Sequence, residues 1–275
     1  MLINKTGNVA PFCPYIQTEE IVCRLLEKDR DQVSDEFELF YIPLAHLINT
    51  IGIPKTNTIL NYMKSNRRRV FICQHVSVQS LAFRPDDIVF TPHASVNDCF
   101  IPIPHAPANV DRSLIREPKD LLFSFLGSTE THWTRKRLVE QYPSCRDSKQ
   151  QWGLAKGLDK DFHRNYMELI GRSQFSLCPR GTGISSVRLF ESMAMDSFPV
   201  IIADGYKRPL DSHIEWNRIS VTLRESNLHN ISSILEVAQL DCNYLRHAYE
   251  NFLSPERLHM SALLTLASPA SPRQR

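Results

Sequence analysis

Segments with helical periodicity alternate along this chain with short apolar runs. Apolar residues at helical spacing in TEEIVCRLLEKD predict a helix, and the run FELFYIPLAHLI after it is expected to form a strand. A short helix is expected over residues 60–64, followed by strands in VFICQH and DDIVFTP. Strands that are joined through helices usually pair in parallel, because a helical crossover returns the chain to the same end of the sheet. The alternation therefore predicts an α/β protein built on parallel sheets.

A proline-dense segment interrupts this alternation over residues 101–118, which read IPIPHAPANVDRSLIREP. It has no apolar periodicity, as expected of a junction between domains. A second βα series follows it, in which Gly171 is expected to end the helix DFHRNYMELIG. We expect an N-terminal domain over residues 1–115 and a C-terminal domain over residues 116–253. A last helix and a disordered tail are expected over residues 254–275.

Composition excludes several classes of protein. The 32 basic and 30 acidic residues leave a net charge of +2, so the overall field gives no reason to expect a nucleic acid partner. The seven cysteines are scattered and form no C-x-x-C pair, so neither a zinc site nor a disulfide scaffold is indicated. No window approaches the roughly 20 apolar residues of a membrane span. Cytoplasmic and lumenal locations both stay open.

Residues 175–205, FSLCPRGTGISSVRLFESMAMDSFPVIIADG, contain the most unusual pattern. An apolar run ends in a Pro-Arg-Gly-Thr-Gly turn, a short helical segment follows, and a second apolar run comes next. Ser185 or Ser186 could cap this helix and leave its free N–H groups, with the positive end of the helix dipole, at the tip of the sheet. The pattern favours an anion as ligand.

Charged residues beside the turn allow two interpretations. Arg180 and Arg188 could donate to phosphate oxygens, while Gly181 would let a ligand approach the backbone and Glu191 would accept ribose hydroxyls. Alternatively, Arg188 and Glu191 form an exposed ion pair on one helix, and the glycines only make the turn. The pattern alone leaves both open.

These residues resemble the hallmark of the exostosin family, glycosyltransferase family 47. The hallmark stands here as Leu177 to Gly181, Ser186 to Glu191, Ala194, Pro199 to Ile202, Asp204 and Tyr206. The likeness extends to the runs YIQTEEIVCRLL, VFICQH and LLFSFLGS, and so covers about Tyr15 to Val221. The resemblance implies the GT-B architecture, in which two Rossmann-like domains face a cleft.

The resemblance also implies an activity. A family member would move a sugar, for which xylose is our first guess, from a UDP-sugar to a hydroxyl of an oligosaccharide or glycoprotein acceptor, with inversion. No metal cofactor is expected, because positive side chains would take its place, and Asp159-Lys160-Asp161 is interpreted as the start of a helix. A non-catalytic sugar-nucleotide or glycan-binding module of the same fold is the alternative.

The donor is expected to bind the C-terminal half. The residues assigned to it are Gly127, Ser128, Arg135, Arg180, Gly181, Ser186, Arg188 and Glu191. Arg180 and Arg188 would hold the diphosphate, and Arg135 is either a second phosphate clamp or part of a solvated helix face.

Inversion requires a general base from the N-terminal half. His75 is the first candidate, because it follows a strand at the tip that faces the crevice; Asp98 and His105 are alternatives, and a structural hydrogen bond would also explain a histidine there. Two residues depart from the family pattern. Val76 stands where the family commonly has Asp, and Asp196 stands where it usually has Gly.

Overall fold

The computed structural model describes residues 18–107, 110–149 and 160–267, and two parallel sheets organise them. In the N-terminal sheet all neighbouring strands run parallel in the order β1-β2-β3-β4. Its strands are β1 (Phe37–Leu39), β2 (Arg68–Ile72), β3 (Ile88–Thr91) and β4 (Ile101–Pro102).

The C-terminal sheet has the order β6-β5-β7-β8-β9, and all its pairs are parallel as well. Its strands are β5 (Leu121–Gly127), β6 (Cys145–Asp147), β7 (Ser173–Pro179), β8 (Phe198–Ile202) and β9 (Val221–Leu223). Strand β6 lies at the edge and was not predicted. The predicted α/β fold with two parallel sheets is confirmed, in agreement with a GT-B-like architecture.

Helices connect the strands and cover the sheets. They are α1 (Thr18–Lys28), α2 (Leu44–Tyr62), α3 (Trp133–Gln141), α4 (Lys160–Arg172), α5 (Arg188–Ala194), α6 (Ile231–Glu236), α7 (Cys242–Ala248) and α8 (Met260–Ala267). A π-helical turn over Tyr249–Leu253 continues α7. The limits of the two domains stay a prediction, and residues 268–275 of the expected tail lie outside the described ranges.

The strand prediction for FELFYIPLAHLI was wrong in its second half. Strand β1 ends at Leu39, and α2 begins at Leu44 after Pro43. Proline suits a helix start, because it has no backbone N–H to leave unpaired. Helix α2 then bends at Gly52, whose φ of 80° lies in the left-handed region. The short helix that was predicted over residues 60–64 is the last turn of α2 and the residues after it.

Apolar clusters on each sheet form the core. One cluster of the N-terminal sheet combines Leu26 of α1, Phe37 and Phe90 of the strands, and Leu258 and Leu266 near the end of the chain. Helix α8 therefore packs on the N-terminal sheet, although it follows the C-terminal half in the chain. Each large side chain that is fully buried in this way contributes about 1.5–3 kcal/mol.

Gly171 brings α4 against the segment that joins the two halves. Helix α4 continues to Arg172, so the expectation that Gly171 ends it was wrong. A Cβ at Gly171 would overlap the backbone of Leu114, at 2.9 Å from its carbonyl carbon. The Gly171 carbonyl also accepts hydrogen bonds from Arg116 N at 3.1 Å and Lys119 Nζ at 2.9 Å. The glycine is needed for close packing between backbones.

Asp196 adopts the left-handed conformation that its family counterpart, a glycine, adopts easily. Its φ is 53°, two residues after the end of α5, and its side chain is buried. The carboxylate pairs with Arg112 at 3.2 Å and with Arg246 at 3.1 Å. Asp tolerates this backbone region better than most residues, and the two ion pairs offset part of the remaining cost.

The substitution Gly171→Ala tests the contact with Leu114. Alanine normally favours a helix, yet here its methyl group would push two backbones apart, and overpacking of this kind costs about 1–3 kcal/mol. We expect a lower urea midpoint of unfolding. Asn165→Ala, at an exposed position of the same helix, is the control and should leave the midpoint nearly unchanged. Equal midpoints for both variants would contradict this account.

Candidate functional site

A cleft of about 390 Å³ lies where the carboxyl ends of the two sheets meet. Residues that follow β2 and β3 form its N-terminal wall, and residues that follow β7 form its C-terminal wall. The lining residues are Val76, Gln79, His93, Ser95, Asn97, Asp98, Arg180, Thr182, Gly183 and Ile184. Ligands of open parallel sheets bind outside the carboxyl ends of the strands, so the cleft is the candidate site.

Hydrogen bonds between the two halves close one side of this cleft. Val96 N donates to Gly205 O at 2.9 Å, and Lys207 N donates to Ala94 O at 3.2 Å. The Lys207 ammonium group reaches Phe100 O at 2.9 Å. The loops after β3 and β8 are therefore joined.

Arg180 is the one predicted donor-site residue that lines the cleft. Its side chain is 27% exposed and lies 3.9 Å from Glu225 Oε1. Its Nε is buried without a hydrogen-bond partner among the described residues. The guanidinium thus keeps donor capacity for an anionic ligand.

Arg135 supports the turn that carries Arg180. Its Nε donates to Arg180 O at 2.9 Å, Nη2 to Pro179 O at 3.2 Å and Nη1 to Ser128 O at 3.4 Å. Burial, followed by the nearby charge of Arg188, lowers the pKa of Arg135 to about 9. The interpretation as a solvated helix face was wrong, because Arg135 is buried. Its contact with phosphate stays a prediction.

The space around Arg135 and Arg188 is bounded by three small residues, Gly127, Ser128 and Gly181. A Cβ at Gly127 would lie 2.9 Å from Arg188 Nη2, and a Cβ at Gly181 would lie 2.9 Å from Arg135 Nη2. Ser128 is buried, and its carbonyl is one of the Arg135 acceptors. The glycines therefore admit guanidinium groups to the strand ends, while their predicted role toward a donor remains untested.

Arg188 is buried at the start of α5. Its Nη2 donates to Leu126 O, and its guanidinium lies 4.6 Å from the Phe125 ring centroid and 5.3 Å from that of Tyr166. Arg188 and Glu191 are each only 5% exposed, so the interpretation as an exposed ion pair was wrong. The close approach of Gly127, the Leu126 carbonyl and the aromatic rings hold Arg188 at the end of β5.

Glu191 lies deep in the same cluster. Tyr166 donates its hydroxyl hydrogen to Glu191 Oε2. Burial raises the pKa of Glu191, while the hydrogen bond from Tyr166 and the charge of Arg188 act in the opposite direction. The proposed contact of Glu191 with ribose stays a prediction.

Neither serine caps α5. The helix begins at Arg188, its N-cap is Val187, and no side chain accepts a hydrogen bond there. Ser186 instead accepts a hydrogen bond from Leu189 N through its backbone carbonyl, at 3.2 Å. The capping prediction for Ser185 or Ser186 was therefore wrong, and a role of Ser186 toward the donor stays a prediction.

The candidate bases of the N-terminal half lie in different surroundings. His75 is buried, and its Nδ1 accepts a hydrogen bond from Ser77 N at 3.0 Å; burial lowers its pKa. Asp98 accepts from the backbone N–H groups of Ser95 and Phe100 at 2.9 and 3.0 Å. His105 does not line the cleft. The role of each as a base remains untested.

Three residues near the cleft were missed by the sequence analysis. His93 lines it, and Glu225 lies beside Arg180 and 3.8 Å from His132 Nε2. His93 and Glu225 each come two residues after the end of a strand, β3 and β9. A systematic search of the residues that follow each predicted strand would have found both.

Among the described residues, no group of three or more His, Cys, Asp or Glu side chains is placed to hold a metal ion. Asp159 of the D-x-D sequence lies outside the described ranges. The independence of metal stays a prediction. Within the same ranges, none of the helices combines the length and apolar character that a membrane crossing requires.

The model of the exostosin GT47 domain matches residues 44–238 of this chain. The chain belongs to the exostosin GT47 family. The matched range contains both sheets from β2 to β9, the cleft between them and the motif turn. The resemblance stated from the motif residues is thereby confirmed.

Curated relatives within this family come from plants and animals. A probable glucuronoxylan glucuronosyltransferase of Arabidopsis thaliana is 34% identical over 128 residues, which are 44% of this chain and 28% of that protein. A probable glucuronosyltransferase of Oryza sativa subsp. japonica is 30% identical over 48% of this chain and 33% of its own length. Exostosin-1c of Danio rerio is 32% identical over 28% of this chain and 10% of its own length. The chain thus matches a third or less of each relative.

Replacing Arg188 by methionine tests whether this residue supports the fold of the family motif. The variant loses the hydrogen bond to Leu126 and leaves Glu191 without its nearby cation. Breaking buried charge contacts of this kind typically costs about 3 kcal/mol or more. We expect a large fall in the free energy of unfolding, measured in urea. Arg208→Met, at a surface ion pair with Asp211, is the control and should change it by less than about 0.5 kcal/mol.

Proposed function

We propose that this chain is an inverting glycosyltransferase that moves a sugar from a UDP-sugar to a hydroxyl group of an acceptor glycan, without a metal ion. Membership of the exostosin GT47 family supports a nucleotide-sugar donor and a glycan acceptor. The observation that carries the proposal is the cleft between the carboxyl ends of two parallel sheets, with Arg180 of the family motif in its wall.

The donor diphosphate would bind at Arg180. This guanidinium is the partly exposed member of the three arginines around the turn, whereas Arg135 and Arg188 are buried and donate to backbone carbonyls. Charge-assisted hydrogen bonds from Arg to phosphate are short and strong, and they would offset the charge that develops on the leaving group. In this proposal, positive side chains stabilise the leaving diphosphate, as a metal cation does in other transferases.

Two sugars are candidates for the donor. Xylose is our first guess from the sequence, while the plant relatives are named glucuronosyltransferases. The two sugars differ in the carboxylate of glucuronic acid, which would need a donor group of its own in the cleft. UDP-xylose and UDP-glucuronic acid therefore both belong in a first ligand panel.

A non-catalytic binding module is the second candidate function. Val76, which stands where the family commonly has Asp, lines the cleft and presents an apolar side chain there. If the missing carboxylate were the base, the chain would bind a nucleotide or glycan without transferring sugar. Transfer assays with a panel of glycan acceptors separate the two functions.

A thermal-shift panel of UDP, GDP, CMP and UDP-sugars tests the donor site. A ligand at 100 times its dissociation constant stabilises the folded state by about 2.7 kcal/mol. We expect UDP and one UDP-sugar to raise the melting temperature. For each ligand, the shift should be the same with EDTA as without it. If EDTA abolished the shift, the metal-independent mechanism would be wrong; if none of the nucleotides gave a shift, the proposed donor site would be wrong.

Arg180→Ala separates ligand binding from support of the fold. Arg180 is partly exposed, so we expect the variant to melt close to the wild type when no ligand is present. Loss of a charged hydrogen bond should weaken UDP binding by about 2 kcal/mol, roughly 30-fold, measured by titration calorimetry. The matched control is Arg208→Ala, on the surface beside Asp211. Unchanged UDP affinity in Arg180→Ala would remove Arg180 from the donor site.

A further inference from the structure

His93 presents an unsatisfied nitrogen at the cleft. The residue follows β3, lines the cleft and is only 5% exposed. Its Nδ1 is buried without a hydrogen-bond partner among the described residues. A buried polar atom that lacks a partner costs about 1–3 kcal/mol, and a bound group that donates a hydrogen bond to it would offset this cost.

The other nitrogen of His93 fixes the form of the ring. The ring is hydrogen-bonded to the backbone of Gln74, and this bond raises the pKa of His93, as expected when the ring donates to a carbonyl oxygen. Because Nδ1 has no partner, the donating atom is Nε2. The proton of the neutral ring therefore sits on Nε2, and Nδ1 carries a lone pair.

Burial, more than the charges nearby, keeps the ring of His93 neutral. Burial lowers the pKa of His93 to about 4, with smaller contributions from His75 and Arg180 in the same direction, and His105 lies with its ring centroid 5.1 Å away. No carboxylate is among these neighbours. A diphosphate bound at Arg180 would offset the positive charge there and so remove one of the smaller contributions that lower the pKa of His93.

Gly183, the last residue of the Pro-Arg-Gly-Thr-Gly turn, makes room for this ring. A Cβ at Gly183 would lie 2.6 Å from His93 Nδ1 and 2.9 Å from Val76 Cγ1. The sequence analysis left open whether the motif glycines serve a ligand or the turn. In the structure, Gly183 has no side chain, so the position beside Nδ1 that a Cβ would take holds no side-chain atom of this residue.

We propose that His93 is the catalytic base that accepts the proton of the acceptor hydroxyl; this inference rests on the transferase function proposed above. The acceptor oxygen would form a bond with the anomeric carbon while the bond from that carbon to the diphosphate oxygen breaks. The leaving diphosphate keeps the electron pair, and the hydroxyl proton moves to Nδ1 to give an imidazolium. Arg180 and His93 line one cavity, so donor and base share a single site.

The other candidate bases fit this role less well. His75 already uses its Nδ1 to accept a hydrogen bond from Ser77 N, and Asp98 accepts two backbone N–H groups. His105 has no partner at either ring nitrogen among the described residues, but it does not line the cleft and is enclosed between His93 and Phe190. His93 combines a place in the cleft wall with a free lone pair.

The pair His93→Gln and His93→Ala tests the inference. Glutamine can keep the donor that reaches the Gln74 carbonyl but places no base at the position of Nδ1. We expect sugar transfer to fall by about 100-fold or more, as is typical for loss of a general base. The shift in melting temperature that UDP produces should stay within error of the wild type. In His93→Ala, added imidazole should restore part of the transfer rate by filling the space that the ring leaves.

Exposed His213→Gln serves as the matched control and should transfer sugar at the wild-type rate. Transfer by His93→Gln within about threefold of the wild type would overturn the inference. Loss of the UDP shift in that variant, or failure of imidazole to restore transfer in His93→Ala, would assign His93 a structural or donor-binding role and overturn it as well. A wild-type chain that is stabilised by UDP but transfers no sugar would instead refute the transferase function, and the inference with it.

Discussion

Two buried guanidinium groups beneath the motif turn are the constraint on which the rest of the C-terminal wall depends. Arg135 and Arg188 both lie over the ring of Phe125, at 5.7 and 4.6 Å from its centroid. Two like charges so close together in a buried place are costly. Carbonyl oxygens at the ends of β5 and β7, the aromatic rings and the acidic group of Glu191 offset that cost, and together they fix the path of the chain at the turn.

The three arginines around the turn have different structural roles. The buried pair holds the strand ends, so that Arg180, on the turn itself, can point a partly exposed guanidinium into the cleft. A rigid support matters here because a hydrogen-bond donor stabilises a developing charge best when it needs no reorganisation. The family motif therefore contributes to a scaffold that supports Arg180, and under the proposed function Arg180 is the motif residue that contacts the donor.

The sequence was sufficient to predict the fold class, but not the direction in which the side chains point. Alternating helical and apolar segments predicted parallel sheets, because that periodicity follows from backbone geometry alone. The three residues of β6, Cys145–Asp147, carry too little pattern to be recognised. Burial of Arg188 depends on Phe125 and Tyr166, which come from distant segments, so no local pattern could reveal it.

The cleft residues show the same limit. His75 was chosen because it follows a clear strand run, whereas His93, which stands behind Pro92 in a loop-like stretch, was not considered. What distinguishes the two is which ring nitrogen has a partner, and that depends on Ser77 N in one case and on the Gln74 backbone in the other. Whether a given ring nitrogen has a hydrogen-bond partner is set by tertiary structure, which the local sequence does not reveal.

The packing of α8 on the N-terminal sheet has a consequence for how the chain folds during synthesis. Leu258, Ala262 and Leu266 belong to the N-terminal core, yet the ribosome adds them after the whole C-terminal half. The N-terminal half therefore cannot complete its core first, although its strands emerge first. Its apolar face stays open until the C-terminal half has been made and the following helix returns to cover it, so this half cannot finish folding first, as N-terminal domains usually do.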